Sequence, residues 1–416
     1  MERNSILNLN PGPSSLPLPV LEEAARGLLN FNGTGMGITE ISHRSKEFQA
    51  LTNDLVARIR ALLSVPDTHE ILFTQGGASL VFSTIALNLL ARFRLLHPNL
   101  PLSEVSADYV VTGVWSKKAY EEAKRLVQHT GVNVRIAADG RTESEDGKSF
   151  QSVPSKDKYQ FGPADKTAWI YYCENETVNG VQFASAPEDP AAFPLDAALG
   201  PPQHTTIDPP LVADFSSSFL SRPIPQIERH ALIYGGAQKN IGPAGLTIII
   251  VRKDLLVDVD AAHTLGGCPP CPLTLSFQTL AESGSLYNTP PMFSMYVSDL
   301  VLKDLQAKGG LSVVEENNRQ KQQVVYGVLE KMEEAGIIQL NVKPGSRSWM
   351  NVTFIFHDPA LGARFVKEAE AKGLRGVKGH RSVGGFRLSL YNAITLENAR
   401  TVAGFLEEFL ASTKDD

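Results

Sequence analysis

An α/β protein, with a large, mostly parallel sheet domain and a smaller α+β C-terminal domain, is the fold class this sequence predicts. Three observations carry the prediction. Short apolar segments alternate with helical patterns through about the first 250 residues, the order that builds a parallel sheet covered by helices. Beyond about residue 293 the pattern changes to long helices around a pair of strands. The chain has 416 residues and is 43% hydrophobic, enough for one large core and a second smaller one.

Taken in order, EILFTQ (70–75) reads as a buried strand, and GGASLVFSTIALNLLARF continues as a helix with apolar residues at helical spacing. ADYVVTG (107–113) is the next strand, followed by a helix through SKKAYEEAKRLVQ. TAWIYYC (167–173) and PPLVADFS (209–216) are further strands, and HALIYGG and GLTIIIVR supply two more. In such a sheet the functional loops gather at the carboxyl ends of the strands. Residues 139–163 are polar and charged, and 186–210 are dense in proline and alanine. Both are expected as surface excursions, because apolar strands resume on each side.

The last third opens with two long helical segments, SMYVSDLVLKDLQAKGG and SVVEENNRQKQQVVYGVLEKMEEAG. SWMNVTFIFH and FRLSLYN form a strand pair with ALGARFVKEAEAKGL between them, and TLENARTVAGFLEEFLAS closes the chain. The expected division is a large domain over 16–292 and a small one over 293–416, with residues 1–15 packing on the latter. No repeat or low-complexity segment is evident.

A formal net charge of -6 gives no electrostatic reason to bind nucleic acid or an anionic membrane. The N-terminus, MERNSILNLNPGPSSLPLP, has no apolar signal core, and the longest apolar run is about strand length, far short of a span. Three cysteines fit a reducing compartment, and a cytoplasmic location is expected. Cys268 and Cys271 form a lone C-x-x-C in GGCPPCP with only His263 nearby. That reads as a proline-stiffened loop with two thiols, and no metal site is expected.

The most informative stretch is ALIYGGAQKNIGPAGLTIIIV (231–251), because of the lysine inside it. Lys239 lies between two apolar β-type segments among Gly235, Gly236, Ala237, Gly242 and Pro243. A lysine so enclosed either loses its charge or is given a chemical task. The task that suits a partly desolvated amine is a Schiff base with an aldehyde cofactor. Asp214 ends the upstream strand LVADFSS, where an aspartate can salt-bridge the protonated ring nitrogen of pyridoxal phosphate, or cap a helix with Ser216–Ser218. Gly76, Gly77, Ala78 and Ser79 join a strand to a helix whose N-terminus suits a phosphate; such turns also serve packing alone. Trp115, read at the end of the strand VVTGVW, has a face for a cofactor ring or for the core. Thr177, in CENETVNG, suits a hydrogen bond to the cofactor or a turn cap.

In five long motifs the chain resembles the phosphoserine aminotransferases, class V members of the fold-type I enzymes that depend on pyridoxal 5'-phosphate. These are AQKNIGPAGLTIIIVR, ADFSSSFLSRP, ISHRSKEF, NTPP and KGHRSVGGFR, in the family's order, with the likeness running from LNLNPGPSSLP to the last helix. The resemblance implies that 16–292 is the cofactor-binding domain and that Lys239 joins the cofactor. It makes Asp214 the ring-nitrogen partner and Trp115 the stacking residue, with Thr177 and Gln238 at the polar substituents. Ala78 and Ser79 match the phosphate-binding positions, and Asn288 and Thr289 reach that phosphate from the other subunit of a homodimer with shared sites.

The implied reaction exchanges an amino group between 3-phospho-L-serine with 2-oxoglutarate and 3-phosphooxypyruvate with L-glutamate, a step of serine biosynthesis. Each substrate carries an α-carboxylate and a distal acid, so two cationic pockets are required. Arg387 matches the α-carboxylate arginine, whose planar fork suits bidentate binding. His43, Arg44, His380 and Arg381 match the distal cluster. Ser79 stands where some family members carry arginine, and Pro11 where others carry serine. The competing expectations are another class V activity, such as serine–glyoxylate transamination or cysteine desulfuration, and a pyridoxal phosphate-binding protein without turnover. Uncharged substrates would have little use for the His–Arg pairs, and desulfuration needs a mobile cysteine.

Overall fold

The computed structural model describes residues 3–201, 209–381 and 383–413. Its centre is a seven-stranded sheet in the order His69–Thr74, Thr247–Arg252, Leu232–Gly236, Leu211–Asp214, Thr167–Cys173, Ser106–Val111, Asn133–Asp139. Five neighbouring strands are mutually parallel. Thr247–Arg252 is antiparallel to both of its neighbours, so it alone runs against the rest. The reason lies in the connection: residues 237–246 are too few for the dozen or so a parallel crossover takes. That short connection carries Lys239, and it closes on itself through Ala237 N–H to Leu246 O at 3.0 Å and Gly242 N–H to Ala237 O at 2.8 Å.

Register brings the functional ends together. Cys173 lies opposite Asp214, and Asp214 opposite Tyr234, so two strands finish at one level and the third runs two residues further, to Gly236. One face of the sheet packs on a core that includes Phe48, Leu55, Ile233, Ile250 and Phe219. The other face packs on Val81, Ile85, Leu89 and Phe93 of the Gly77–Leu96 helix, with Tyr109, Trp169 and Tyr234. That helix is long and apolar enough to cross a membrane, yet 67% of its apolar stretch is buried inside the protein.

A second sheet, Phe386–Ser389, Asn351–Phe356, Ile338–Leu340, is antiparallel throughout. Its core gathers Phe354, Phe356, Phe365, Phe405 and Phe409, the last three from the helices Pro359–Ala371 and Leu396–Ser412. Leu7–Asn8 pairs in parallel with Leu374–Arg375. The helix Met292–Ala307 packs on the helices Lys46–Leu63 and Leu18–Leu29, and its Met295 and Leu302 join the core of the large sheet.

Several expectations change. The strands Asn133–Asp139 and Ile338–Leu340 were not foreseen: both lie at sheet edges and keep exposed positions, so their apolar signal is weak. The 186–210 stretch is more than a surface excursion. Phe193 stacks on Tyr172 with ring centroids 4.1 Å apart, and Ala192, Ala198 and Leu199 are buried; residues 202–208 lie outside the described residues. In 139–163, Val153 is buried and Phe150 and Phe161 pack against the core. Trp115 is not at a strand end. The strand stops at Val111, and Trp115 stands in the first turn of the helix Val114–Val127.

Candidate active site

The local cause of that early helix start is Glu176. Its buried carboxylate accepts from the N–H groups of Trp115 at 2.9 Å and Ser116 at 2.7 Å, and from Ser116 Oγ at 2.6 Å. Orphan donors at the helix start are thereby satisfied by a charge on the favourable side of the dipole. Asn179 Oδ1 takes a third N–H, that of Val114, at 2.9 Å. Gly113 is needed for the approach, because a Cβ there would lie 2.4 Å from Glu176 Cδ. Burial raises the Glu176 carboxyl from its ordinary value, against the pull of the Ser116 and Trp115 bonds.

Lys239 faces this helix. It is 9% exposed, its Nζ donates to Thr177 Oγ1 at 2.5 Å, and it sits 5.9 Å from the centroid of the Trp115 indole. Burial lowers its ammonium from the ordinary lysine value; Asp214 and Glu176 oppose the fall and Arg387 adds to it. The backbone of the lysine loop is clasped by the N-terminal segment, with Ser14 N–H donating to Gln238 O at 3.0 Å and Ser14 Oγ to Lys239 O. Gln238 is half-buried beside it.

Asp214 is buried and ordered through both oxygens. Oδ1 accepts from Ser216 N–H at 2.8 Å and Oδ2 from the Tyr234 hydroxyl at 2.8 Å. Tyr171 OH lies 2.9 Å behind Tyr234 OH, so a buried tyrosine pair backs the carboxylate. Arg387 is buried too, its Nη1 donating to Thr177 O at 3.0 Å, while its Nε has no hydrogen-bond partner. Trp115 Nε1 is likewise buried and unpartnered. Ala78 and Ser79 open the helix Gly77–Leu96 behind Gly76, in a left-handed conformation at φ 90° that suits glycine. A Cβ on Gly77 would meet nothing within 4 Å, leaving an open approach to that N-terminus.

The predicted residues fall into two groups. Lys239, Thr177, Trp115 and Arg387 form one, with Asp214 beside them on the adjacent strand end. His380 is tied to it electrically: burial lowers its imidazolium first, then the positive charges of Arg387, Lys118 and Arg381 lower it further. The second gathers around Thr289, beside the turn that begins at Gln75. His43 Nδ1 lies 3.2 Å from Thr289 Oγ1, and Gln75 donates to Thr289 O at 2.8 Å, with Arg44 and Asn288 exposed alongside in sequence. His43 Nε2 is buried without a partner.

Sequence reasoning missed Glu176, Tyr234, Ser14 and Lys118. For Glu176 the signal was available in CENETVNG, where an acid adjoins Thr177. Pro11 makes its contact by backbone, its carbonyl accepting from Tyr391 OH at 2.8 Å. Cys268 and Cys271 are unpaired, buried thiols, pushed by burial up to about 11 and about 12. Among the described residues no group of three or more His, Cys, Asp or Glu is placed to hold a metal.

The donor set fits pyridoxal phosphate: an amine depressed by burial, an anchored carboxylate, an unpartnered indole N–H and an open helix N-terminus. An α/β sheet that presents these at its carboxyl end defines a pyridoxal phosphate-dependent enzyme. The family model for aminotransferase class V matches residues 6–402. A curated phosphoserine aminotransferase of Nitrosomonas europaea is 39% identical over 404 residues, covering 97% of this chain and 98% of its own. Among solved structures, the phosphoserine aminotransferase of Bacillus circulans subsp. alkalophilus superposes with a TM-score of 0.79 at 36% identity, covering 98% of each chain. The pyridoxal phosphate-bound phosphoserine aminotransferase of Trichomonas vaginalis gives 0.79 at 34%, covering 96% of this chain and 99% of that one. The chain belongs to the class-V aminotransferases.

Proposed function

We propose that this chain is a phosphoserine transaminase, moving an amino group between L-glutamate or 2-oxoglutarate and 3-phosphooxypyruvate or 3-phospho-L-serine in L-serine biosynthesis. The observation that carries the reading is Arg387. A buried guanidinium with an unpartnered Nε, tied through the Thr177 backbone to the residue that meets Lys239, is a receptor for a carboxylate beside the reacting amine.

When bound, pyridoxal phosphate supplies an aldehyde for the amino group and a ring that accepts electrons. Asp214 holds the proton of the ring nitrogen, its own position set by Ser216 and Tyr234. Trp115 offers its indole face, and Ala78 and Ser79 meet the phosphate at a helix N-terminus. Thr177 and Gln238 hold the polar substituents. Lys239, its ammonium lowered by burial, is the base that takes the proton from the substrate Cα and the acid that gives it up in the return direction. Arg387 fixes the α-carboxylate, which places that Cα–H against Lys239. The distal acid meets His380 and Arg381.

His43, Arg44, Asn288 and Thr289 are read as completing the site of a second copy. Their own cluster around the His43–Thr289 contact supports a homodimer with shared sites. Residues 293–416, with 1–15, are read as the small domain that carries Arg387 and His380, and a cytoplasmic location accords with three unpaired cysteines. Desulfuration is disfavoured because Cys173, Cys268 and Cys271 are all buried.

The test is the absorbance of the purified, cofactor-loaded protein before and after 3-phospho-L-serine, with L-serine as control. Loss of the cofactor's visible band with phosphoserine alone is expected. Equal loss with serine points to a broader class V transaminase, and a band that answers neither overturns turnover altogether.

A further inference from the structure

Lys118 is a cation at this site that no motif singled out. One helical turn beyond Trp115, it is exposed, and its Nζ lies 4.7 Å from the centroid of the Trp115 indole. The same indole has Lys239 Nζ 5.9 Å from its centroid, so the Lys118 ammonium shares a ring with the reacting amine. An ammonium is attracted to the face of tryptophan, which biases this flexible, exposed side chain towards the indole. The neighbouring Lys117 pairs with Glu121 at 3.7 Å, whereas among the described residues Lys118 forms no ion pair. Its positive charge is felt at His380, together with those of Arg387 and Arg381.

We propose that Lys118 is a specificity-determining cation of the distal subsite, favouring substrates whose distal acid is a doubly charged phosphate over those that end in a carboxylate. This rests on the phosphoserine reading above. The physical argument is one of charge. Coulomb attraction scales with the charge of the partner, so one extra cation stabilises a phosphate dianion about twice as much as a carboxylate at the same distance. An exposed ammonium acts through high dielectric and is screened by salt, so the preference is moderate and fades as ionic strength rises.

The experiment compares wild type with Lys118→Met, Lys118→Arg and Lys118→Glu in the loaded enzyme. For Lys118→Met, KM for 3-phospho-L-serine should rise about five- to tenfold and KM for L-glutamate less than about threefold, with kcat near wild type. Lys118→Arg should restore the phosphoserine KM, and Lys118→Glu should raise it beyond the methionine variant. The gap between wild type and Lys118→Met should narrow from roughly 0.05 to 0.5 M salt. Calorimetric titration of phosphoserine into Lys239→Ala, with and without Lys118→Met, reads the same loss as binding without turnover. Equal shifts for both donors, no shift, or failure of arginine to restore would overturn the role of Lys118. Inability of wild type itself to use phosphoserine would instead overturn the reading on which it rests.

Discussion

Among the described residues two lysines are buried, and their surroundings differ in a way that separates chemistry from architecture. Lys321, on the helix Leu311–Glu334, is 1% exposed. Its Nζ donates to the carbonyls of Leu390 at 2.9 Å, Tyr391 at 3.0 Å and Ile394 at 2.8 Å. An ammonium has three donors, and all three are used. Lys239 Nζ has one hydrogen bond among the described residues, to Thr177. Burial lowers both ammonium groups, Lys321 to about 7, and at Lys239 the charges of Asp214 and Glu176 oppose the fall. What separates the two is geometry: three carbonyls engage every donor of Lys321, whereas one hydroxyl meets Lys239 and leaves the amine room for a partner.

The comparison breaks most readily at Lys239. Lys239→Ala should lower transamination at least about a thousandfold with the fold retained, as general acid–base and covalent roles both end there. Substantial turnover by that variant would remove Lys239 from the mechanism. Reductive trapping gives the next contrast. Borohydride added to protein exposed to pyridoxal phosphate should fix the label on Lys239 and leave Lys321 clean, as read by peptide mass. The neutral amine is the attacking form, so trapping by cofactor-free protein should accelerate with pH and level off below the ordinary lysine value of 10.5. Label on Lys321 would erase the distinction.

Smaller effects sharpen it. Lys321→Met removes the donor shared by the carbonyls of Leu390, Tyr391 and Ile394, of which Tyr391 O keeps the Ile394 N–H, and should cost about 2–4 kcal/mol of stability, seen as a lower urea midpoint, while Lys239 still takes the cofactor. Thr177→Val removes the hydrogen bond to Lys239 Nζ. A loss of about tenfold in kcat, with the urea midpoint nearly unchanged, is expected.

The same contrast explains what the sequence disclosed. Lys239 was legible because its isolation is local: small residues and two apolar segments enclose it within twenty-one residues, 231–251. Lys321 was not, because it stands in the polar run NNRQKQQ and its acceptors lie about seventy positions away. Strands that fill the sheet centre, such as TAWIYYC, were readable to the residue, while Asn133–Asp139 at the edge mixes exposed and buried positions. Trp115 was misplaced for a similar reason. Glu176, distant in sequence, decides where its helix starts. His43 and Thr289 were recognisable as motif residues, but their mutual contact belongs to tertiary folding.

The Glu174–Phe183 segment has one more consequence. It bonds to the large sheet through Glu174 N–H and Asp214 O, to the second sheet through Thr353 Oγ1 and Asn179 O at 3.0 Å, and to the loop before that strand through Ser348 N–H and Gly180 O at 2.8 Å. Arg387, on that second sheet, holds Thr177 O directly. That bond makes Arg387 and Thr177 one unit rather than two independently placed groups. A displacement common to the Arg387 guanidinium and to the Thr177 hydroxyl on Lys239 leaves the distance between those two groups unchanged, as a differential amplifier passes no signal shared by both inputs.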